Sequence, residues 1–200
     1  MSNTIDTGKR RFLTAAASVV GGAGATAVAV PFVSSMLPSA KAEAAGAPVE
    51  VDISKLEMGQ LLTVEWRGKP VWIFRRSEEA LANLEMLGTD SELRDPESEV
   101  SSQQPEYCQN DTRAIRDELM VVVGICTHLG CSPTYRPEMA PADLGENWKG
   151  GFFCPCHGSR FDLAGRVFQG VPAPTNLVVP PYHFQGDNVV IVGADAEGVA

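Results

Sequence analysis

Two short segments of this chain hold nearly all of its reactive side chains. The first is Cys126-Thr127-His128-Leu129-Gly130-Cys131, and the second is Cys154-Pro155-Cys156-His157-Gly158-Ser159. Four of the 5 cysteines and two of the 3 histidines lie in these segments, and 25 residues separate His128 from Cys154. The fold must therefore bring two loops that are distant in sequence to one place.

Each segment offers one thiolate and one imidazole, Cys126 with His128 and Cys154 with His157. Thiolate is a soft donor and neutral imidazole an intermediate one, so the set suits zinc or an iron–sulfur cluster. The glycine in each segment permits a tight turn that points backbone N–H groups towards sulfur. The spacing alone leaves both metal centres open.

Cys131 and Cys156 remain after the four candidate ligands are assigned, one in each segment. In an oxidising compartment such a pair closes a disulfide, which here would clamp the two loops together. A structural zinc site would not explain this second cysteine in each segment.

The N-terminal region predicts a membrane segment. No charged residue occurs from Phe12 to Ala40, and about 20 apolar residues span a bilayer as a helix. Basic residues at 9–11 precede this stretch, so the positive-inside rule predicts a cytoplasmic N-terminus and residues 41–200 on the outer side.

The run Lys9-Arg10-Arg11-Phe12-Leu13 resembles a twin-arginine export signal, with an irregular spacer between the basic pair and Phe-Leu. That route exports folded proteins, which suits a cofactor assembled in the cytoplasm. The alternative is an ordinary signal peptide cleaved near Ala40-Lys41-Ala42. We favour a retained anchor over residues 1–39.

The rest of the chain is predicted to be mainly β. Residues 40–48 form a small-residue tract, extended or partly helical, which we expect to act as a flexible hinge. A β domain follows over residues 49–200, with strand-like sequence at Val49–Ile53, Leu61–Trp66, Val71–Phe74, Met120–Ile125, Tyr182–Gln185 and Val189–Val192.

Residues 77–118 form an acidic insertion. They hold 12 acidic and 3 basic residues and so carry the chain's whole formal charge of -9. Helices are predicted there at Glu78–Leu87 and Arg113–Leu119. The acidic balance argues against a non-specific nucleic-acid binder, which needs a basic face.

Both hexapeptides are similar to the ligand loops of Rieske iron–sulfur proteins. Taken over all six residues each, and together with Gly170-Val171-Pro172-Ala173-Pro174, the two segments resemble those of the Rieske subunit of the bacterial cytochrome bc1 complex. The resemblance implies one N-terminal transmembrane helix and an antiparallel β-sandwich Rieske domain. This domain would have a helical insertion and a small cluster-binding subdomain at about residues 125–175.

The resemblance also implies one Rieske-type [2Fe–2S] cluster. Cys126 and Cys154 would bind one iron, and His128 and His157 the other. His157 would also accept the hydrogen bond and the proton of a quinol.

Other residues gain roles by the same resemblance. Leu129, Gly130 and Pro172 would shield the cluster and dock on a partner, and Ser159 would donate its hydroxyl to a bridging sulfide. Phe161 stands where high-potential members carry tyrosine, so we predict a lower reduction potential here.

The implied function is that of a quinol–cytochrome c reductase, a translocase of the respiratory chain. The first electron of a membrane quinol would enter the Rieske domain and the second would enter cytochrome b. The domain would then move on its hinge to cytochrome c1. The implied complex is dimeric, and it lies in the bacterial inner membrane with this domain on the periplasmic side.

Three alternatives to this function can be compared with the sequence. One is the Rieske subunit of another exported oxidoreductase, such as arsenite oxidase. Another is a soluble ferredoxin for a ring-hydroxylating oxygenase, which the export signal and the spare cysteine pair contradict. The last is a structural zinc domain. Cys108 is predicted to be a free thiol, His183 to be structural, and the loop between the ligand segments to pack beside the cluster or contact a partner.

Overall fold

The computed structural model describes residues 6–89 and 92–196. Not described are residues 1–5, 90–91 and 197–200. These positions are the start of the predicted anchor, two residues of the acidic insertion and the end of the predicted β domain. The chain divides into two units between Ala44 and Ala45.

Helix α1, Thr7–Ser34, forms the first unit's long element. Asp6 caps its start by accepting hydrogen bonds from the N–H groups of Gly8 and Lys9. It has 28 residues and no buried side chain, and by length and composition it can cross a membrane. At about 1.5 Å per residue it exceeds the roughly 30 Å hydrocarbon core of a bilayer.

A short helix α2, Ala40–Gly46, occupies most of the predicted hinge. The backbone of the second unit is fixed at its start, because the N–H of Arg67 donates to the carbonyl of Ala45 at 3.0 Å. The tract is therefore partly helical, one of the two forms expected for it.

The second unit is built from three antiparallel sheets of three strands, with orders β1-β9-β8, β2-β3-β4 and β5-β6-β7. The strands are β1 Val49–Asp52, β2 Leu61–Trp66, β3 Lys69–Arg75, β4 Leu119–Val123, β5 Thr134–Arg136, β6 Gly151–Cys154, β7 Ser159–Phe161, β8 Tyr182–Gln185 and β9 Val189–Val192. The mainly β, antiparallel class predicted from the sequence is confirmed.

The core lies on β3 and β4, which read as nearly continuous apolar runs because both of their faces are covered. Trp72 stacks on Phe152 with ring centroids 5.1 Å apart, which joins the central sheet to the sheet of β5, β6 and β7. Gly124 follows β4 at this contact, and a Cβ there would lie 2.3 Å from the Trp72 ring. Position 124, two residues before the first ligand segment, therefore has to be glycine.

Helix α3, Glu78–Thr89, confirms the first helix predicted in the acidic insertion. The second, at Arg113–Leu119, is wrong: the segment forms turns, and Arg113 has a left-handed φ of 50°. Its guanidinium is fully buried and donates to the carbonyls of Ala164 and Gln103. The hydroxyl of Tyr182 also accepts from the N–H of Ile115 at 2.8 Å, so tertiary contacts override helix propensity.

Candidate metal centre

The first ligand segment is a tight loop after β4. The N–H of Cys126 donates to the carbonyl of Cys131 at 2.7 Å, and the N–H of Gly130 donates to the carbonyl of Cys126 at 3.1 Å. Gly130 has a φ of 85°, a left-handed conformation that side chains disfavour. The loop buries Cys126, at 2% exposure, and presents Leu129, at 71% exposure, to solvent.

The second ligand segment is the turn of the β6–β7 hairpin. Cys154 and Ser159 are paired across it, and the N–H of Gly158 donates to the carbonyl of Cys154 at 2.9 Å. Gly158 also has a positive φ, of 75°. The turn repeats the arrangement of the first loop, with Cys154 buried and His157 exposed.

The two loops meet at their tips. The rings of His128 and His157 lie edge to face, with centroids 4.7 Å apart. A disulfide joins Cys131 to Cys156 beside them. The sulfur of Cys154 lies within 4.8 Å of both disulfide sulfurs, but these three atoms are not a ligand set because two of them are already bonded to each other.

A third segment, residues 170–175, braces both loops. The hydroxyl of Thr127 donates to the carbonyl of Thr175 at 2.7 Å, and the N–H of Ala173 donates to the hydroxyl oxygen of Ser159 at 3.1 Å. Pro172 is exposed on this segment while Val171 is buried. Gly170–Pro174 therefore lies against the two loops.

Polar groups surround the buried thiols. Burial raises the pKa of the Cys126 thiol, which lies against Cys154, while the backbone N–H of His128 and the hydroxyl of Ser159 act in the opposite direction. Because Ser159 accepts its backbone bond through oxygen, its own proton is free to point at sulfur. Two buried sulfurs with N–H and O–H donors, below two adjoining imidazoles, fit an iron–sulfur cluster held by mixed ligands.

Phe161 is fully buried on β7 and pairs with Phe152 of β6. It shares a face of the strand with Ser159, two residues before it. Its ring offers no hydroxyl to sulfur, as the sequence indicates.

The long loop between the ligand segments is folded back on itself. Trp148 is buried, stacks on Phe168 and donates its indole N–H to the carbonyl of Arg136 at 3.1 Å. The guanidinium of Arg136 holds the Asp143 carboxylate through two contacts, at 2.9 and 3.0 Å. The loop thereby places Asp143 on a cavity that His157 also lines.

The two remaining reactive residues lie away from the loops' tips. Cys108 is a buried free thiol 3.8 Å from the Tyr182 hydroxyl, and burial raises its pKa to about 11. The Nδ1 atom of His183 lies 3.0 Å from the carbonyl oxygen of Ala194. Both environments agree with the non-ligand roles expected for these residues.

Sequence reasoning missed the braces of this site. Thr127 lies inside the first hexapeptide, yet only the fold places its hydroxyl on Thr175. The buried arginines Arg76, Arg113 and Arg166 hold the turn at residues 162–166 mainly through carbonyl oxygens, and no sequence pattern indicates their burial.

Comparisons with known proteins agree with this geometry. The model of the "Rieske [2Fe-2S] domain" family matches residues 48–183, and that of the "Ubiquitinol-cytochrome C reductase Fe-S subunit TAT signal" matches residues 2–39. The site's cofactor is therefore a Rieske-type [2Fe–2S] cluster, and the zinc alternative is set aside. The signal match and the apolar helix α1 together indicate a membrane-anchored chain.

Two curated relatives carry the name "Ubiquinol-cytochrome c reductase iron-sulfur subunit". The protein from Allochromatium vinosum is 64% identical over 94% of this chain and 89% of its own length. That from Blastochloris viridis is 42% identical over 96% of this chain and 97% of its own length. A solved chain described as "Hyperthermophilic respiratory Complex III" is 24% identical, with a TM-score of 0.46, over 88% of this chain and 98% of that one. The domain match and the near full-length relatives show that this chain belongs to the Rieske [2Fe–2S] family, among the iron–sulfur subunits of ubiquinol–cytochrome c reductase.

Proposed function

We propose that this chain is the Rieske subunit of a bacterial quinol–cytochrome c reductase, the cytochrome bc1 complex. It takes one electron from a membrane quinol and passes it to cytochrome c1, which contributes to the proton-motive force of a respiratory chain. The observation that carries the proposal is the pair of adjoining imidazoles at an exposed tip above two buried thiols. The shared name of the two relatives supports it, and no observation favours arsenite oxidase.

The ligand set is the one that the Rieske family implies, and the burial of the two thiols and the donor chemistry support it. Cys126 and Cys154 would hold one iron of the cluster, and His128 and His157 the other. A cluster ligated in this way supplies a one-electron acceptor of raised potential, because two neutral imidazoles replace two anionic thiolates. The Cys131–Cys156 disulfide keeps the two loops at a fixed spacing.

His157 is the residue that meets the quinol. It is more exposed than His128, its ring lies against the His128 ring of the Leu129 loop, and it lines one cavity with Pro172. Oxidation of a quinol releases two electrons and two protons. His157 accepts one proton from a quinol hydroxyl as the first electron leaves, the second electron goes to cytochrome b, and the second proton is released to water.

The electron then has to reach cytochrome c1. We propose that the domain moves on the tract at residues 40–48, with helix α1 as its retained anchor. The soluble domain lies on the periplasmic side of the inner membrane, and the complex is dimeric. The length and apolar composition of α1 and its export-signal match support the membrane anchor in this arrangement.

Leu129 provides a test that leaves the ligands in place. Replacing it with alanine is expected to slow quinol–cytochrome c reduction in membranes about fivefold, because an exposed apolar contact of roughly 1 kcal/mol is lost from the docked state. The iron content and the electron paramagnetic resonance (EPR) signal should stay unchanged. Met58, at 65% exposure, is the matched control, and Met58→Ala should leave the rate unaltered. Equal rates for Leu129→Ala and wild type would contradict a docking role.

Phe161→Tyr is expected to raise the midpoint potential. The added hydroxyl can donate to a ligand sulfur, and a hydrogen bond to charged sulfur stabilises the reduced, more negative state by about 1.5 kcal/mol, or roughly 60 mV for one electron. Redox titration followed by EPR measures the change, with Phe152→Tyr on the neighbouring strand as the control. An unchanged or lowered potential in Phe161→Tyr would refute the role given to Phe161.

A further inference from the structure

A cavity of about 290 Å³ opens beside His157. Three segments line it: the loop between the ligand segments, the end of the second ligand segment and the proline-rich segment. Leu144, Val171 and Pro172 contribute apolar atoms to a lining that is mainly polar, and Arg160 places a cationic side chain in it. The cavity therefore adjoins the proposed ligand His157, from which the electron would leave. Arg160 is not itself one of the proposed ligands.

The carboxylates near Arg160 are already bound by other donors. Asp143, in the same cavity, is held by Arg136 at 2.9 and 3.0 Å. Glu92 lines a neighbouring cavity with Arg160 and accepts from the amide of Asn147 at 3.1 Å. Neither acidic group is within ion-pair distance of Arg160 in the described part of the chain.

Arg160 itself is left without an acceptor. Within the described residues its guanidinium has no hydrogen bond or ion pair, and its Cζ atom lies 5.7 Å from the centroid of the Phe168 ring. Arginine presents a planar set of N–H donors that matches a carboxylate with two parallel hydrogen bonds.

We propose that Arg160 binds a carboxylate of the electron-accepting cytochrome, an aspartate or glutamate whose aliphatic stem enters the cavity beside His157. This inference rests on the proposed function. A quinol is uncharged and does not need the guanidinium, so the free cation suits the later contact, with a protein surface. The pair would fix the orientation of His157 towards the acceptor, which makes Arg160 a positioning residue.

Arg160→Lys converts this contact into one that can be trapped. A water-soluble carbodiimide activates a carboxylate, which then forms an amide with a lysine amine within contact distance. In the full complex, Arg160→Lys is expected to yield a cross-link from this position to cytochrome c1, identified by mass spectrometry. Lys149, on the loop between the ligand segments, lines a different cavity and is the internal control, expected to stay unlinked.

Arg160→Gln tests the same contact by kinetics. Electron transfer from the reduced Rieske centre to cytochrome c1 is expected to be about fivefold slower at low salt and nearly independent of salt concentration. Arg160→Lys should keep most of the rate, and Lys149→Gln should equal wild type. The midpoint potential should not change in any of these variants.

The outcomes separate this inference from the proposed function. If the EPR signal of the centre is absent in wild type, the proposed function fails. If the signal is present but Arg160→Gln transfers electrons at the wild-type rate, or if the cross-link forms to cytochrome b alone, only the inference on Arg160 is overturned. Weaker binding of Arg160→Gln to phosphatidylglycerol vesicles, with an unchanged rate, would also overturn it and assign the guanidinium to lipid headgroups.

Discussion

Replacing Cys154 with serine is expected to remove the [2Fe–2S] cluster from this protein. Cys154 is 2% exposed and lies against Cys126, and the nearest other sulfurs, of Cys131 and Cys156, are bonded to each other, so the site offers no free thiolate in its place. A serine hydroxyl is a hard donor that stays protonated at neutral pH, and it binds iron in a sulfide-bridged cluster poorly. Iron and acid-labile sulfide per chain should fall at least tenfold relative to wild type, because even the loss of a hydrogen-bonding partner of a ligand costs about 10- to 100-fold in metal affinity.

Cys108 supplies the control for this substitution. It is also a buried cysteine, but it lies by the Tyr182 hydroxyl and away from the ligand loops. Cys108→Ser should keep the full iron and sulfide content. A Cys154→Ser protein with wild-type content, or a Cys108→Ser protein without iron, would contradict the ligand assignment.

Removing the Cys131–Cys156 disulfide is expected to have the second largest effect. The bond closes a loop with a sequence separation of 25, and a constraint of this length stabilises the folded state by about 3 kcal/mol. The double variant Cys131→Ala/Cys156→Ala should therefore lose about 3 kcal/mol in free energy of unfolding, measured with urea. It should also lose its visible absorption faster on dilution, because the loops can separate.

Chemical reduction distinguishes the bond from the alanine side chains. Wild type treated with a phosphine reductant should reproduce the stability of the double variant, while the double variant should not respond to it. Unchanged stability and cluster lifetime in both proteins would show that the braces at Thr127 and Ser159 suffice to hold the loops.

The hairpins of the β domain could be predicted from sequence to within a few residues. Leu61–Trp66 and Tyr182–Gln185 match β2 and β8, because apolar periodicity and turn residues agree there. At the first hairpin, Arg67 and Gly68 both have a positive φ, of 52° and 70°, which is the form of two-residue turn that strand twist favours. Local sequence therefore determines these elements.

The segment at residues 113–119 could not be predicted in this way. Its conformation depends on the buried guanidinium of Arg113, which donates hydrogen bonds to carbonyls more than fifty residues away along the chain. Local helix propensity does not reflect such contacts. The same holds for the fold of the loop between the ligand segments, where Trp148 and Arg136 form the brace.

The candidate site was the most predictable part. Two loops that contain Cys and His together with tight-turn glycines indicate a metal centre whatever the surrounding fold, because metal binding restricts the residue types so strongly. What the sequence could not provide is the burial of the thiols next to two adjoining imidazoles, of which His157 is exposed, and an Arg160 without an ion-pair partner among the described residues. Both depend on how three segments pack together.

Low-temperature EPR with electron–nuclear double resonance on the dithionite-reduced, full-length protein tests the central claim most directly. The account predicts the signal of a reduced [2Fe–2S] cluster with hyperfine coupling to imidazole nitrogens from both His128 and His157. A protein that contains stoichiometric zinc and gives no signal, or a cluster signal without nitrogen coupling, would contradict it.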